Sequence, residues 1–132
     1  MVAVNDAKMD WFEKNSFIKH LGFETIEREG KDIVVKLSIE AKHLNIQQNL
    51  HGGVHAAMLD TIQTVALRSV YETGVTAINQ NVHYLAGTNS GVIYATAKII
   101  QQGYKIAAVE SEILDEDDRL IAKGSGVYKI NR

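Results

Sequence analysis

Residues 45–60 read Asn45-Ile46-Gln47-Gln48-Asn49-Leu50-His51-Gly52-Gly53-Val54-His55-Ala56-Ala57-Met58-Leu59-Asp60, and this stretch decides the fold. It passes from a polar run with no clear period into the most apolar helix of the chain. Over residues 53–72, Val54, Met58, Ile62, Val65 and Ser69 recur at helical spacing, and Ala57, Leu67 and Val70 cover most of the remaining circumference. A helix apolar nearly all round is expected to be buried. Glu72-Thr73-Gly74 ends it, with Gly74 as the expected C′ residue.

Working outward, the N-terminal side begins with Asn5 or Asp6 as a cap for a helix spanning about residues 5–21, with Met9, Trp11 and Phe12 apolar and Gly22 as its stop. Residues 23–28 and 32–39, joined by Glu29-Gly30-Lys31, predict a β-hairpin with Val35, Leu37 and Ile39 on one face. Residues 40–50 read as a loop. After Gly74, residues 75–85, 91–101, 105–115 and 120–130 are strand-like and separated by turn chemistry. Short connections favour antiparallel neighbours, so these four are expected to form a meander. The prediction is one α+β domain over residues 1–132, core about 22–130. Its long antiparallel sheet would wrap around a single buried helix, each covering the other's apolar face.

Composition narrows the function classes. A chain of 132 residues can bury a core without a disulfide or metal staple. The absence of cysteine excludes a thiolate zinc site and a cysteine nucleophile. A formal charge of −2 argues against nucleic acid as a partner. No strictly apolar run exceeds four residues, so no membrane span is expected. The N-terminus lacks a basic patch followed by an apolar stretch, which points to a cytoplasmic location.

Two features carry chemistry. Gly52-Gly53 is the only glycine pair in the chain and opens the buried helix. First-turn N–H groups lack intrahelical partners and carry the positive end of the dipole. They can polarise a carbonyl oxygen, or the glycines can simply permit a tight entry into the helix. Asp60 is the only acid between Glu40 and Glu72. In a buried helix such a carboxylate is paired, hydrated in a cleft or functional; otherwise Asp60-Thr64-Arg68 is a polar stripe against solvent or a subunit boundary. Eight residues at about 1.5 Å rise separate Asp60 from Gly52 by roughly 12 Å. A reacting carbonyl needs both groups within about 3.5 Å. One subunit can hardly present both, whereas two antiparallel copies of the helix can.

Other patterns are weaker. His51 and His55, with His83 remote, do not make a metal-ligand motif, and local hydrogen bonding that shapes the loop is the expected role of His51. His20 and His43 show no partner pattern. There is no nucleophile elbow, Walker motif or dinucleotide fingerprint, and Gly124-Ser125-Gly126 falls within a strand. No cofactor and no metal are expected.

The chain resembles hotdog-fold acyl-CoA thioesterases of the phenylacetate-pathway (PaaI-like) type from about residue 23 to residue 130. The resemblance rests on His51-Gly52-Gly53 followed by Asp60, on Gln102-Gly103-Tyr104-Lys105, and on Leu120-Ile121-Ala122-Lys123-Gly124. It implies that Asp60 is the catalytic carboxylate, acting as base or nucleophile, and that Gly52 N–H polarises the thioester carbonyl. Asn45 would position water or substrate, and Thr64 and Thr76 would support the carboxylate or the water. It also implies a site across a dimer, with dimers often pairing into tetramers. His51 and Gly53 belong to the same motif. For the coenzyme A phosphates Lys105 is the first candidate, with Arg68, Lys98 and Lys123 behind it. The family often has glycine where this chain has Gln48, and proline where Ala86-Gly87 stands. The expected activity is hydrolysis of an acyl-CoA thioester. The alternatives are a non-catalytic acyl-CoA binding module on the same fold and, less well matched by the motif, a hydratase.

Overall fold

The structure, a computed structural model, describes residues 2–3, 9–28 and 32–132. The elements run β1 (Val2–Ala3), α1 (Asp10–Glu13), α2 (Ser16–Leu21), β2 (Glu24–Arg28), β3 (Asp32–Ser38), a 3-10 turn (Ala41–His43), α3 (Gly52–Tyr71), β4 (Val75–Tyr84), β5 (Val92–Gln102), β6 (Ile106–Leu114) and β7 (Leu120–Ile130). All strands join one antiparallel sheet in the order β1-β2-β3-β5-β6-β7-β4, and α3 packs against its inner face.

Period-two burial builds that face. In β6 every second residue is buried from Ala107 to Ile113, and β7 alternates likewise through Ala122, Gly124, Gly126 and Tyr128. Met58, Leu59, Ile62 and Val65 of α3 meet Val35, Leu37, Ile93, Ala95, Ile113, Ile121 and Ala122 in one cluster. A second cluster of Leu67, Ala107, Val109, Tyr128 and Ile130 closes the far end. Each large side chain so buried contributes roughly 1.5–3 kcal/mol. The last turn of α3 is the exception to the all-round apolar pattern, since Ser69 and Val70 are exposed.

Three expectations need correction. The four C-terminal strands are not a simple meander: β4 skips β5 and pairs with β7 at the sheet edge. Residues 85–91 could extend to about 23 Å, whereas three strand spacings need only about 14 Å, so a short connection did not force adjacency. It runs across the sheet end, where the Leu85 and Ala86 N–H groups donate to Ile121 O and Arg119 donates to Gly87 O. The single N-terminal helix is instead two, because Asn15 is extended and its side chain accepts from Ile18 N–H. The proposed Asn5 or Asp6 cap and the Glu29-Gly30-Lys31 turn lie outside the described residues. Finally, Glu72 rather than Gly74 takes the left-handed conformation after α3 (φ 56°). Gly74 instead passes close to Asn131, whose N–H donates to its carbonyl at 2.9 Å.

His43, which showed no partner pattern in sequence, organises the loop ahead of α3. It is fully buried, accepts from Glu40 N–H at Nδ1 (2.9 Å) and meets Leu21 O with Nε2 (2.6 Å). That pair requires the neutral tautomer with the proton on Nε2. Its own main-chain carbonyl accepts from His51 N–H at 2.8 Å, so ring and backbone of this one residue tie the end of α2 to the start of α3. His43→Leu would strand the Glu40 N–H and the Leu21 carbonyl. We expect a loss of about 2–4 kcal/mol, read as a lower urea midpoint at unchanged slope.

Candidate active site

The site begins at the mouth of α3. His51 is its N-cap, and its Nδ1 accepts from Gly53 N–H at 2.8 Å. The His51 carbonyl takes the N–H groups of Val54 and His55. Gly52 N–H is thus the first-turn donor left without a hydrogen bond among the described residues. Gly53, expected at the substrate, spends its N–H on the cap.

The loop before the helix is held by Asn45. Its Oδ1 accepts from Gln47 N–H and Asn49 N–H at 2.9 and 3.1 Å, leaving the amide NH2 for the cleft beside it. Gln48 takes φ 64° in this turn, the left-handed region that glycine enters without steric cost. Gln48, having a Cβ, holds this conformation at the cost of local strain.

A cleft of about 350 Å³ lies at the helix mouth, lined in part by Asn45, Leu50, Gly52, His55, Tyr84 and Leu85. Tyr84 covers Gly52: its ring lies 3.4 Å from where a Cβ would stand, and its hydroxyl donates to Gly52 O at 3.2 Å. His55 is 5% exposed, and neither ring nitrogen finds a partner among the described residues. Burial, assisted by neighbouring His51, pushes its pKa below the ordinary 6.5.

Asp60 sits in the middle of α3 in a polar cluster. Tyr128 Oη donates to its Oδ1 at 2.6 Å, and Gln80 Nε2 donates to the same oxygen at 3.2 Å. The Tyr128 oxygen also lies 2.9 Å from Gln63 Oε1, and Gln63 Nε2 donates to Ser111 Oγ at 2.6 Å. Burial and the adjacent Asp60 charge drive the Tyr128 phenol pKa well above its ordinary range, so it stays a donor. Gly126 makes the cluster possible. A Cβ there would come within 2.4 Å of Gln63 Oε1 and 3.0 Å of Gln80 Nε2. Two of these groups had visible signals: Gln63 sits one turn from Asp60 on an apolar helix, and Gly126 falls at an inward position of a strand. Tyr128 and Gln80 looked like ordinary strand residues.

The remaining candidates are scattered. Thr64 meets the Tyr128 hydroxyl, with no bond to Asp60 shown. Thr76 is exposed and donates to Asn131 Oδ1, four residues up β4 from Gln80. Lys105 is exposed in the β5–β6 turn, which the Tyr71 hydroxyl ties to the C-terminal end of α3 through Gly103 O. Arg68 lies over the Trp11 ring at 4.6 Å. Lys98 and Lys123 are exposed, opposite Glu110 and Glu112 across the strands. Among the described residues no group of three or more His, Cys, Asp or Glu could hold a metal.

The family whose model matches residues 47–122 is described as the thioesterase superfamily. Acyl-coenzyme A thioesterase 13 of Mus musculus is 30% identical over 96 residues, covering 70% of this chain and 68% of that protein. The structure of the E. coli PaaI protein from the phenylacetic acid degradation operon superposes with a TM-score of 0.85 at 26% identity, covering 93% and 89% of the two chains. The BH2602 protein of Bacillus halodurans, solved with CoA, gives 0.83 at 26% identity over 96% and 85%. The chain belongs to the thioesterase superfamily and carries its hotdog fold. Its expected enzyme class is thus the class its family defines. No helix of the described residues is long and apolar enough to cross a membrane.

The lowered pKa of His55 has a stability consequence. Above pH 6.5 the ring is neutral whether the chain is folded or unfolded. As pH falls below 6.5 the unfolded chain takes up a proton that the folded one resists, so stability declines with falling pH. Thermal unfolding between pH 7.5 and 5 should show this slope, and His55→Phe should flatten it.

Proposed function

We propose that this protein hydrolyses acyl-CoA thioesters to a free acid and coenzyme A, as one domain over residues 1–132 working in the cytoplasm. The observation that carries the reading is the division of labour along α3. Asp60 is a half-buried carboxylate with two donors on Oδ1, and Gly52 at the helix mouth holds a spare N–H. The thioesterase relatives and the CoA-bound neighbour support the substrate class.

A water held by Asp60, or Asp60 itself, attacks the thioester carbonyl. In the water route Asp60 takes the proton, a C–O bond forms and the carbonyl π pair moves onto oxygen, stabilised by Gly52 N–H. The tetrahedral adduct collapses, the C–S bond breaks, and coenzyme A leaves as thiolate to recover the proton. Asn45 orients water or the acyl group with its free NH2, and Lys105 meets a phosphate.

Gly52 and Asp60 lie about 12 Å apart on one unbroken helix, so the reacting groups come from two copies. The edge strand β4 supports this. Among the described residues it pairs only with β7, exposes Ile78 (59%), and carries Tyr84, at Gly52, four residues from Gln80, at Asp60. An unpaired strand edge is a template for another strand. Two β4 edges meeting antiparallel turn the α3 helices antiparallel and bring each Gly52 toward the partner's Asp60. A tetramer would add a second such dimer.

Asp60→Asn should lower kcat by about 10²–10⁴. Tyr128→Phe, which leaves Asp60 present but less firmly held, should cost about tenfold in kcat with KM little changed. Thiol release across short, long and aromatic acyl-CoAs measures both. Wild-type turnover by Asp60→Asn would overturn the assignment. Intact acyl-CoA persisting in a stoichiometric complex with the parent protein would favour a binding module. In sedimentation velocity the active species should be a dimer or tetramer, and a fully active monomer would contradict the shared site.

A further inference from the structure

His55 is a buried titratable group for which the proposed reaction has no use and, unlike His43, its ring makes no hydrogen bond among the described residues. It stands one turn beyond Gly52, so both lie on the same side of α3. Helical Cβ bonds tilt toward the N-terminus, which carries its ring back over the first turn. Both residues line the same cleft. Tyr84 packs on both, edge-to-face with the imidazole at 5.3 Å between centroids and against Gly52.

Beside the Asn45 amide, α3 itself brings two spare donors to this cleft. Gly52 N–H is the first-turn donor that His51 leaves free. A neutral imidazole always carries one N–H, and neither ring nitrogen of His55 has a partner among the described residues although the side chain is 95% buried. An apolar ring would avoid this cost, since a phenylalanine fills much the same space without a polar atom. A buried unpaired donor in a native structure calls for an acceptor that arrives from elsewhere. An oxyanion has lone pairs for more than one donor, and a single backbone N–H leaves it partly unsatisfied.

We infer that His55 is the second donor of the oxyanion hole, its ring N–H converging with Gly52 N–H on the thioester carbonyl oxygen. This rests on the thioesterase reading above. His55 donates a hydrogen bond and no proton: the carbonyl π pair moves onto oxygen as the nucleophile adds, and returns to carbon as the C–S bond breaks. Burial and His51 keep the ring neutral, so it polarises the carbonyl without surrendering its proton. Tyr84, itself more than half exposed, is the side chain the carbonyl displaces on entry.

The test compares His55→Phe, which keeps the ring volume and removes the N–H, with His55→Gln, which restores an N–H, both in the assembled protein. Losing one oxyanion donor should lower kcat by about 10²-fold in His55→Phe with KM within about threefold, and His55→Gln should recover part of that loss. Circular dichroism and sedimentation check that both variants fold and assemble. Independently, the wild-type protein with ¹⁵N-labelled histidine should show the His55 ring N–H resonance move downfield on binding an acyl-CoA analogue with CH2 in place of the thioester sulfur. Wild-type kcat in His55→Phe, equal losses in both variants, or an unmoved resonance with the analogue bound would overturn the inference. Asp60→Asn assayed alongside separates the failures. If it too turns over normally, the reaction assignment falls; if it is inactive while His55→Phe is not, only the role of His55 falls.

Discussion

A carboxylate on the inner side of a sheet-wrapped helix has to be solvated by the protein, and the hydrogen bonds around Asp60 are what the rest of this molecule accommodates. Tyr128 and Gln80 both donate to one carboxylate oxygen, and Gln63 and Ser111 extend the cluster into the core. The cluster needs four elements in register: α3, β4, β6 and β7. It also needs a gap in the packing, which Gly126 supplies by having no Cβ. A polar network in a low-dielectric interior is favourable only when its members are satisfied. That condition explains why a strand residue with no chemistry of its own must be glycine.

The same reasoning accounts for the edge position of β4. A meander would have placed β4 beside β5. Instead it lies beyond β7, where Gln80 reaches Asp60 and Tyr84 reaches Gly52 from one strand. The helix mouth and the carboxylate are therefore touched from positions four residues apart on a strand whose outer edge pairs with nothing among the described residues. Helix mouth and carboxylate are fixed apart within the chain and presented along a common edge, the arrangement on which the proposed two-fold partner rests.

Much of the fold was legible in sequence because it follows from local periodicity. The apolar pattern of 53–72, the hairpin of 23–39 and the four C-terminal strands all stand within a residue or two of their expected limits. His51-Gly52-Gly53 marked the helix mouth, and Asp60 was conspicuous as a lone acid. Strand order was not legible, because a seven-residue connection fits adjacent or separated strands equally well. His43 was missed because its two partners, Glu40 N–H and Leu21 O, are backbone groups that no residue-type pattern reveals.

The sequence by itself determined that one apolar helix with a glycine entry and an embedded carboxylate would lie under an antiparallel sheet. It also set a helical distance of about 12 Å between that glycine entry and the carboxylate. Only the tertiary structure decided which groups surround that carboxylate and which donors at the helix mouth remain free. The physical reason is that periodicity is a property of neighbours along the chain. Satisfaction of a buried polar atom depends instead on residues such as Tyr128, 68 positions away from Asp60, brought within 2.6 Å by the sheet.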